Sequence, residues 1–220
     1  ADLDRQAGKD RNPLAAGRLG RRDGLLLVIA FLLPSLAILP FLNPFNRVLG
    51  LIVLFLFFTY SSGIRAKSVP VLDVAYHGLC LAILGVMGYT QQRPFDISCL
   101  FLSAMIFLFS SVSQIMQEIR DWEHDRKAIV TTVTWLGKRK SLALSLILLL
   151  ISFGLLMIAP FHGVVPFEYL LLSPLAYFIV SPIIRGMRSE QFHNLMIGQI
   201  AFRGPIVMAI LLVSFLLLRG

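Results

Sequence analysis

Seven apolar runs, at residues 24–42, 48–60, 71–89, 97–116, 141–159, 167–184 and 195–218, constrain this chain more than any other feature. Several of them reach about 17–22 residues, which as helix is enough to cross a hydrocarbon layer of about 30 Å. In lipid the backbone must satisfy its own hydrogen bonds, so only helices or the strands of a closed barrel can span. Barrel strands are short and alternate in polarity, a pattern absent here. The sequence therefore predicts an all-α fold: a polytopic transmembrane helical bundle of about seven spans, forming one domain over residues 1–220. Pro34 and Pro40 are expected to kink the first span, and Arg203-Gly204-Pro205 interrupts the last. With 57% hydrophobic and 15% charged residues, an ordinary soluble domain is excluded.

The net charge of +8 would suggest nucleic acid in a soluble protein. Here the basic residues sit in short loops between apolar runs, so they report topology instead, and no nucleic-acid partner is expected. Residues 1–23 carry six Lys and Arg, loop 64–70 two, loop 117–140 six and loop 185–194 two, together 16 of the 20. All four segments fall on one membrane face, which the positive-inside rule makes cytoplasmic. The expected location is a bacterial or archaeal cell membrane, or an organelle membrane. Cys80 and Cys99 lie in or beside apolar segments and suit packing better than a disulfide or metal site.

Residues 117–127, Gln-Glu-Ile-Arg-Asp-Trp-Glu-His-Asp-Arg-Lys, hold four of the twelve acidic residues and follow directly on an apolar run. As a helix, Ser111, Gln114, Glu118, Asp121 and Asp125 fall on one narrow face. A polar stripe descending into a membrane helix lines a cavity, or bonds to neighbouring helices. Clustered carboxylates call for a cation, either nearby Arg and Lys or a hard divalent metal such as Mg2+. A second acidic pair, Asp2 and Asp4, lies on the same face, with Lys9, Arg11, Arg65, Lys67, Arg126 and Lys127. Acids to hold a metal beside bases to meet phosphate describe a diphosphate–Mg2+ site. Asp73 can complement a helix dipole or serve the site, and Glu118 can join the metal side or pair with Arg120 or Arg126.

Three segments resemble the UbiA-type intramembrane prenyltransferases. Asp2-Leu3-Asp4-Arg5 with Asn12-Pro13-Leu14-Ala15-Ala16-Gly17-Arg18 is similar to the end of that family's first Asp-rich motif and the segment after it. Tyr60-Ser61, Arg65, Lys67 and Asp73 resemble its Tyr-Ser…Arg-x-Lys loop. Asp121-x-x-x-Asp125, Thr131-Thr132 and Leu136-Gly137 resemble its second Asp-rich motif, with Ile129 where the family commonly has Gly. The family usually has about nine spans and begins its first motif with Asn-Asp. The resemblance thus implies that two helices and half a motif precede residue 1, and that activity depends on them.

The resemblance further implies transfer of a prenyl group from a prenyl diphosphate to a lipophilic acceptor, aromatic ones included, within the bilayer. Asp121 and Asp125 would bind Mg2+, with Asp2 and Asp4 helping to hold a second metal. Arg65 and Lys67 would act with them in catalysis by holding diphosphate oxygens. Lys9, Arg11, Tyr60, Asp73, Gln114 and Glu118 are the expected substrate-binding residues, and Phe55, Phe57 and Phe58 candidates for a wall around the isoprenoid. The competing expectation is a polytopic transporter or binding protein with an acidic pathway, although such acids would be spread through several spans. A CDP-alcohol phosphotransferase ranks last, because its Asp-Gly-x-x-Ala-Arg signature is absent.

Overall fold

The computed structural model describes residues 13–14, 16–62, 65–172 and 180–185, and among these it contains helices and turns but no strand. Six α-helices follow in order: α1 Arg21–Ile38, α2 Pro44–Ser61, α3 Leu72–Thr90, α4 Ile97–Asp125, α5 Thr132–Leu136 and α6 Lys138–Ile158. Short 3-10 turns Leu39–Phe41, Ala66–Ser68, Ala159–His162 and Phe167–Leu172 join or follow them. All but α5, extended by these turns where they adjoin, are long and apolar enough to cross a membrane, which gives five candidate spans among the described residues. They coincide with the first five apolar runs. The sixth run differs: residues 167–172 form a 3-10 turn opened by Pro166, and 180–185 are helical. The seventh run, with Arg203, lies outside the described residues.

Local chemistry sets the helix ends. Asn43 caps α2 by accepting from the Asn46 N–H at 2.8 Å, and Pro44 occupies the first turn, where a missing N–H costs nothing. Asp96 caps α4, accepting from the Cys99 N–H at 2.9 Å. Thr131 and Thr134 cap α5 reciprocally. Gly137, at φ 83°, makes the turn from α5 into α6 in a region L-residues avoid.

The bundle is built around α4, which packs against α3 on one side and α6 on the other, while α2 packs on α3. Val112, Ile115, Met116 and Ile119 of α4 form the core with Val133, Leu142 and Leu149. α3 and α4 approach closely at Gly78, where a Cβ would lie 2.6 Å from Ser111 Oγ and 2.9 Å from the Phe107 carbonyl oxygen. No residue of α1 is buried, and Leu25, Val28, Phe31 and Leu33 are exposed, as on a helix whose solvent is lipid. At 29 residues α4 is about 44 Å long, more than the ~30 Å hydrocarbon layer. Its acidic last turns can therefore project beyond the lipid while its first turns remain inside.

Candidate active site

The acidic end of α4 runs as one unbroken helix through Asp125. Its polar face turns inward: Ser111, Gln114, Glu118 and Asp125 are buried, and Asp121 is 28% exposed. Ser111 donates to the Phe107 carbonyl of its own helix at 2.8 Å. Gln114 reaches across helices, its Nε2 contacting the Tyr60 hydroxyl of α2 at 3.4 Å and donating to Glu118 Oε1 at 3.0 Å. Glu118 Oε2 accepts from the Val133 N–H at 3.2 Å. The contacts of Glu118 thus lead to Gln114, to α5 and to the Asp73 carboxyl. Arg120 meets Asp121 at 3.0 Å and Arg126 meets Glu123 at 2.7 Å.

Asp73, near the start of α3, is 1% exposed, and its carboxylate also turns to α5. Oδ2 accepts from the Thr132 N–H at 2.6 Å, while Oδ1 accepts from the Thr132 hydroxyl and from the Val74 N–H at 2.8 Å. Two acids from two helices therefore receive the first N–H groups of α5, which a helix N-terminus leaves unpaired and partly positive. Asp73 thus meets one N–H at the start of its own helix, that of Val74, and one at the start of α5, that of Thr132.

That loop joins α2 to α3. Arg65 sits at φ 52° and Val71 at φ 72°, the non-glycine residues with positive φ among those described. For a β-branched residue this region is an outlier, costing about 1–3 kcal/mol, and such strain persists only where neighbours enforce it. The Val71 N–H donates to Thr132 Oγ1 at 2.7 Å. Thr132 thus ties the loop bearing Arg65 and Lys67 to the chain that follows Asp125.

Between the two lies an open pocket of about 460 Å³ lined by Arg65, Ser68 and residues 126–130, with Arg126 and Lys127 among them. Ile129 lines it in an ordinary right-handed turn, its N–H donating to the Asp125 carbonyl at 2.9 Å. No glycine is needed there. Beside it, Tyr60, Phe57, Tyr76, His77, Cys80 and Leu81 surround a smaller cavity of about 90 Å³. Phe55, Phe57 and Phe58 are all more than half exposed, and Phe57 is the one of the three that lines this cavity.

The structure brings Arg65 to one pocket with Arg126 and Lys127, and Tyr60, Gln114, Glu118, Asp73 and Thr132 into a polar chain beside it. Lys67 is half-buried in the same loop. Asp2, Asp4, Lys9 and Arg11 lie outside the described residues. Among the described residues no three His, Cys, Asp or Glu side chains gather closely enough to hold a metal. Asp121 and Asp125, one turn apart, are the available pair of hard oxygen donors. Sequence reasoning missed the anchoring of Thr132 and the pocket position of Ser68, since a lone hydroxyl carries no spacing signal.

A sequence model of the UbiA prenyltransferase family matches residues 1–195. The search of curated proteins returned no match. Among solved structures, the chain is similar to a UbiA homolog from Archaeoglobus fulgidus bound to GPP and Mg2+, at 22% identity and a TM-score of 0.63, covering 94% of this chain and 77% of that one. The same homolog bound to DMAPP and Mg2+ gives 21% identity and a TM-score of 0.62, with 94% and 79% covered. At these identities the likeness shows a shared fold.

Proposed function

The chain belongs to the UbiA prenyltransferase family, and from that premise we propose that it transfers a prenyl group from a prenyl diphosphate to a lipophilic acceptor within the membrane, with Mg2+. The observation that carries this reading is the convergence at one end of the apolar bundle. The Arg65 loop and the cations Arg126 and Lys127 meet around one open pocket, and these cations directly follow the helix end that bears Asp121 and Asp125. The Archaeoglobus fulgidus homologs bound to GPP or DMAPP with Mg2+ support the same substrate class. The lysine and arginine bias supports a cytoplasmic position for this end.

The donor set fits the metal: carboxylates one turn apart are hard ligands, and Mg2+ keeps water in other positions. Asp121 and Asp125 would hold it, with Asp2 and Asp4 contributing from the N-terminal segment. When bound, Mg2+ neutralises charge on the departing diphosphate. The chain's own groups do the rest. Arg65, Lys67, Arg126 and Lys127, with Lys9 and Arg11, hold diphosphate oxygens by charge-assisted hydrogen bonds. Tyr60, Gln114 and Glu118 form a polar wall whose hydrogen bonds fix its shape. Asp73 acts through Thr132 by keeping the cationic loop in place. Apolar helices bury the isoprenoid and exclude water, so that the allylic cation left when the C–O bond breaks is captured by the acceptor.

The test is transfer of radiolabelled prenyl diphosphate in membranes carrying the full-length gene, with and without Mg2+. Loss of groups that merely support a metal ligand costs about 10–100-fold. Asp121→Ala and Asp125→Ala should therefore each lower transfer by at least on the order of 100-fold. Transfer by either variant equal to wild type would sink the assignment.

A further inference from the structure

Ser68 carries an unpaired hydroxyl at the edge of the cationic pocket. Its Oγ is buried and has no hydrogen-bond partner among the described residues. Elsewhere among the described residues most such hydroxyls return to a carbonyl three or four residues earlier, as Ser35 does to Phe31, Ser111 to Phe107, Ser141 to Gly137 and Ser145 to Ser141, while Ser152 Oγ within α6 is likewise unpaired. At Ser68 the hydroxyl does not make this bond, although the Arg65 carbonyl, which accepts the Ser68 N–H at 2.8 Å, keeps a second lone pair. The turn itself is firmly seated: Ala66 is fully buried, and the Val69 N–H donates to the Ala66 carbonyl at 3.1 Å. A buried donor left unmade is unfavourable, so its retention calls for a partner absent from the ligand-free chain.

Its surroundings say what kind of partner. Ser68 lines the open pocket of about 460 Å³ together with the guanidinium groups of Arg65 and Arg126 and the ammonium of Lys127. Among the described residues no carboxylate lines that pocket. A hydroxyl among three cations can donate to an anionic oxygen, and a diphosphate offers several at different heights. Resting on the proposed prenyl-diphosphate chemistry, we infer that Ser68 is a further substrate-binding residue, donating its hydroxyl proton to a phosphate oxygen of the diphosphate group.

The experiment uses the full-length protein in detergent or nanodiscs, titrated calorimetrically with inorganic pyrophosphate in the presence of Mg2+, alongside prenyl transfer by the same samples. Ser68→Ala should weaken pyrophosphate binding about ten-fold, or about 1.4 kcal/mol. The thermal midpoint of the ligand-free variant should be equal to or above that of wild type, because an unpaired buried hydroxyl has been removed. Ser68→Thr, which keeps the hydroxyl, should bind within a few-fold of wild type. Ser68→Cys, similar in shape but a weak donor, should follow alanine and stands in if the alanine variant fails to fold. Wild-type affinity in both Ser68→Ala and Ser68→Cys overturns the inference, whereas continued transfer, lost in Asp121→Ala, leaves the proposed function standing. Transfer that is insensitive to Asp121→Ala and Asp125→Ala, with no pyrophosphate binding by wild type, overturns both.

Discussion

Replacing Thr132 by valine keeps the shape of the side chain and removes one oxygen. That oxygen accepts from the Val71 N–H at 2.7 Å and donates to Asp73 Oδ1. An unpaired buried N–H costs about 1–3 kcal/mol. At Asp73 the loss is smaller, because Oδ1 still accepts from the Val74 N–H at 2.8 Å and Oδ2 from the Thr132 N–H at 2.6 Å. Together these come to about 2–4 kcal/mol. The penalty falls on a loop that already holds Arg65 and Val71 at positive φ, so the loop should open locally before the bundle unfolds. At 1.4 kcal/mol per factor of ten, Thr132→Val should speed amide exchange in residues 65–73 by roughly 30- to 1,000-fold. Exchange in the buried middle of α4, around Val112 to Met116, should change little. Mass-spectrometric hydrogen exchange on the purified protein measures both regions, and Thr132→Ser, which retains the oxygen, should exchange almost as wild type. Unchanged exchange over 65–73 in Thr132→Val would refute the idea that this hydroxyl holds the cationic loop.

Two further substitutions test the packing. Gly78→Ala should lower the thermal midpoint through about 1–3 kcal/mol of overpacking, because the Phe107 carbonyl 2.9 Å from the new Cβ is backbone and cannot swing aside. Gly88→Ala, with nothing within 4 Å, should instead raise stability by about 0.5–1 kcal/mol in the same thermal assay. At the opposite end of the bundle, fully buried Asn46 donates to the Met87 carbonyl at 2.9 Å and Gln91 at 3.0 Å, and accepts from Thr90 at 2.7 Å. Asn46→Leu should cost about 2–4 kcal/mol in detergent unfolding while leaving pyrophosphate affinity unchanged, since this cluster lies at the far ends of α2 and α3 from the Asp121–Asp125 pair.

The reach of sequence reasoning differed from residue to residue for physical reasons. Ser111, Gln114, Glu118 and Asp125 share a face because helical period is a local property, and the structure buries all four. What each meets is not local. Glu118 takes the Val133 N–H, fifteen residues away, and Gln114 contacts Tyr60, fifty-four residues away. Asp73 stands near the start of α3, where dipole complementation alone is a sufficient reason for an acid, yet its principal partner lies fifty-nine residues on in α5. Neither pairing is encoded in spacing.

By itself the sequence determined the lipid-spanning helices, the crowding of basic residues on one face and the placement of Asp121 and Asp125 at the end of one long helix. Each follows from run length, charge count or the 3.6-residue period, which neighbouring residues settle among themselves. Only the tertiary structure decided that Asp73 and Glu118 turn oxygens to the start of α5, that Thr132 braces the loop of Arg65, and that Ser68, whose hydroxyl is unpaired, lines a cationic pocket. Those outcomes depend on which helix ends packing brings within about 3 Å, and burial then leaves each polar group to pair with whatever it meets there.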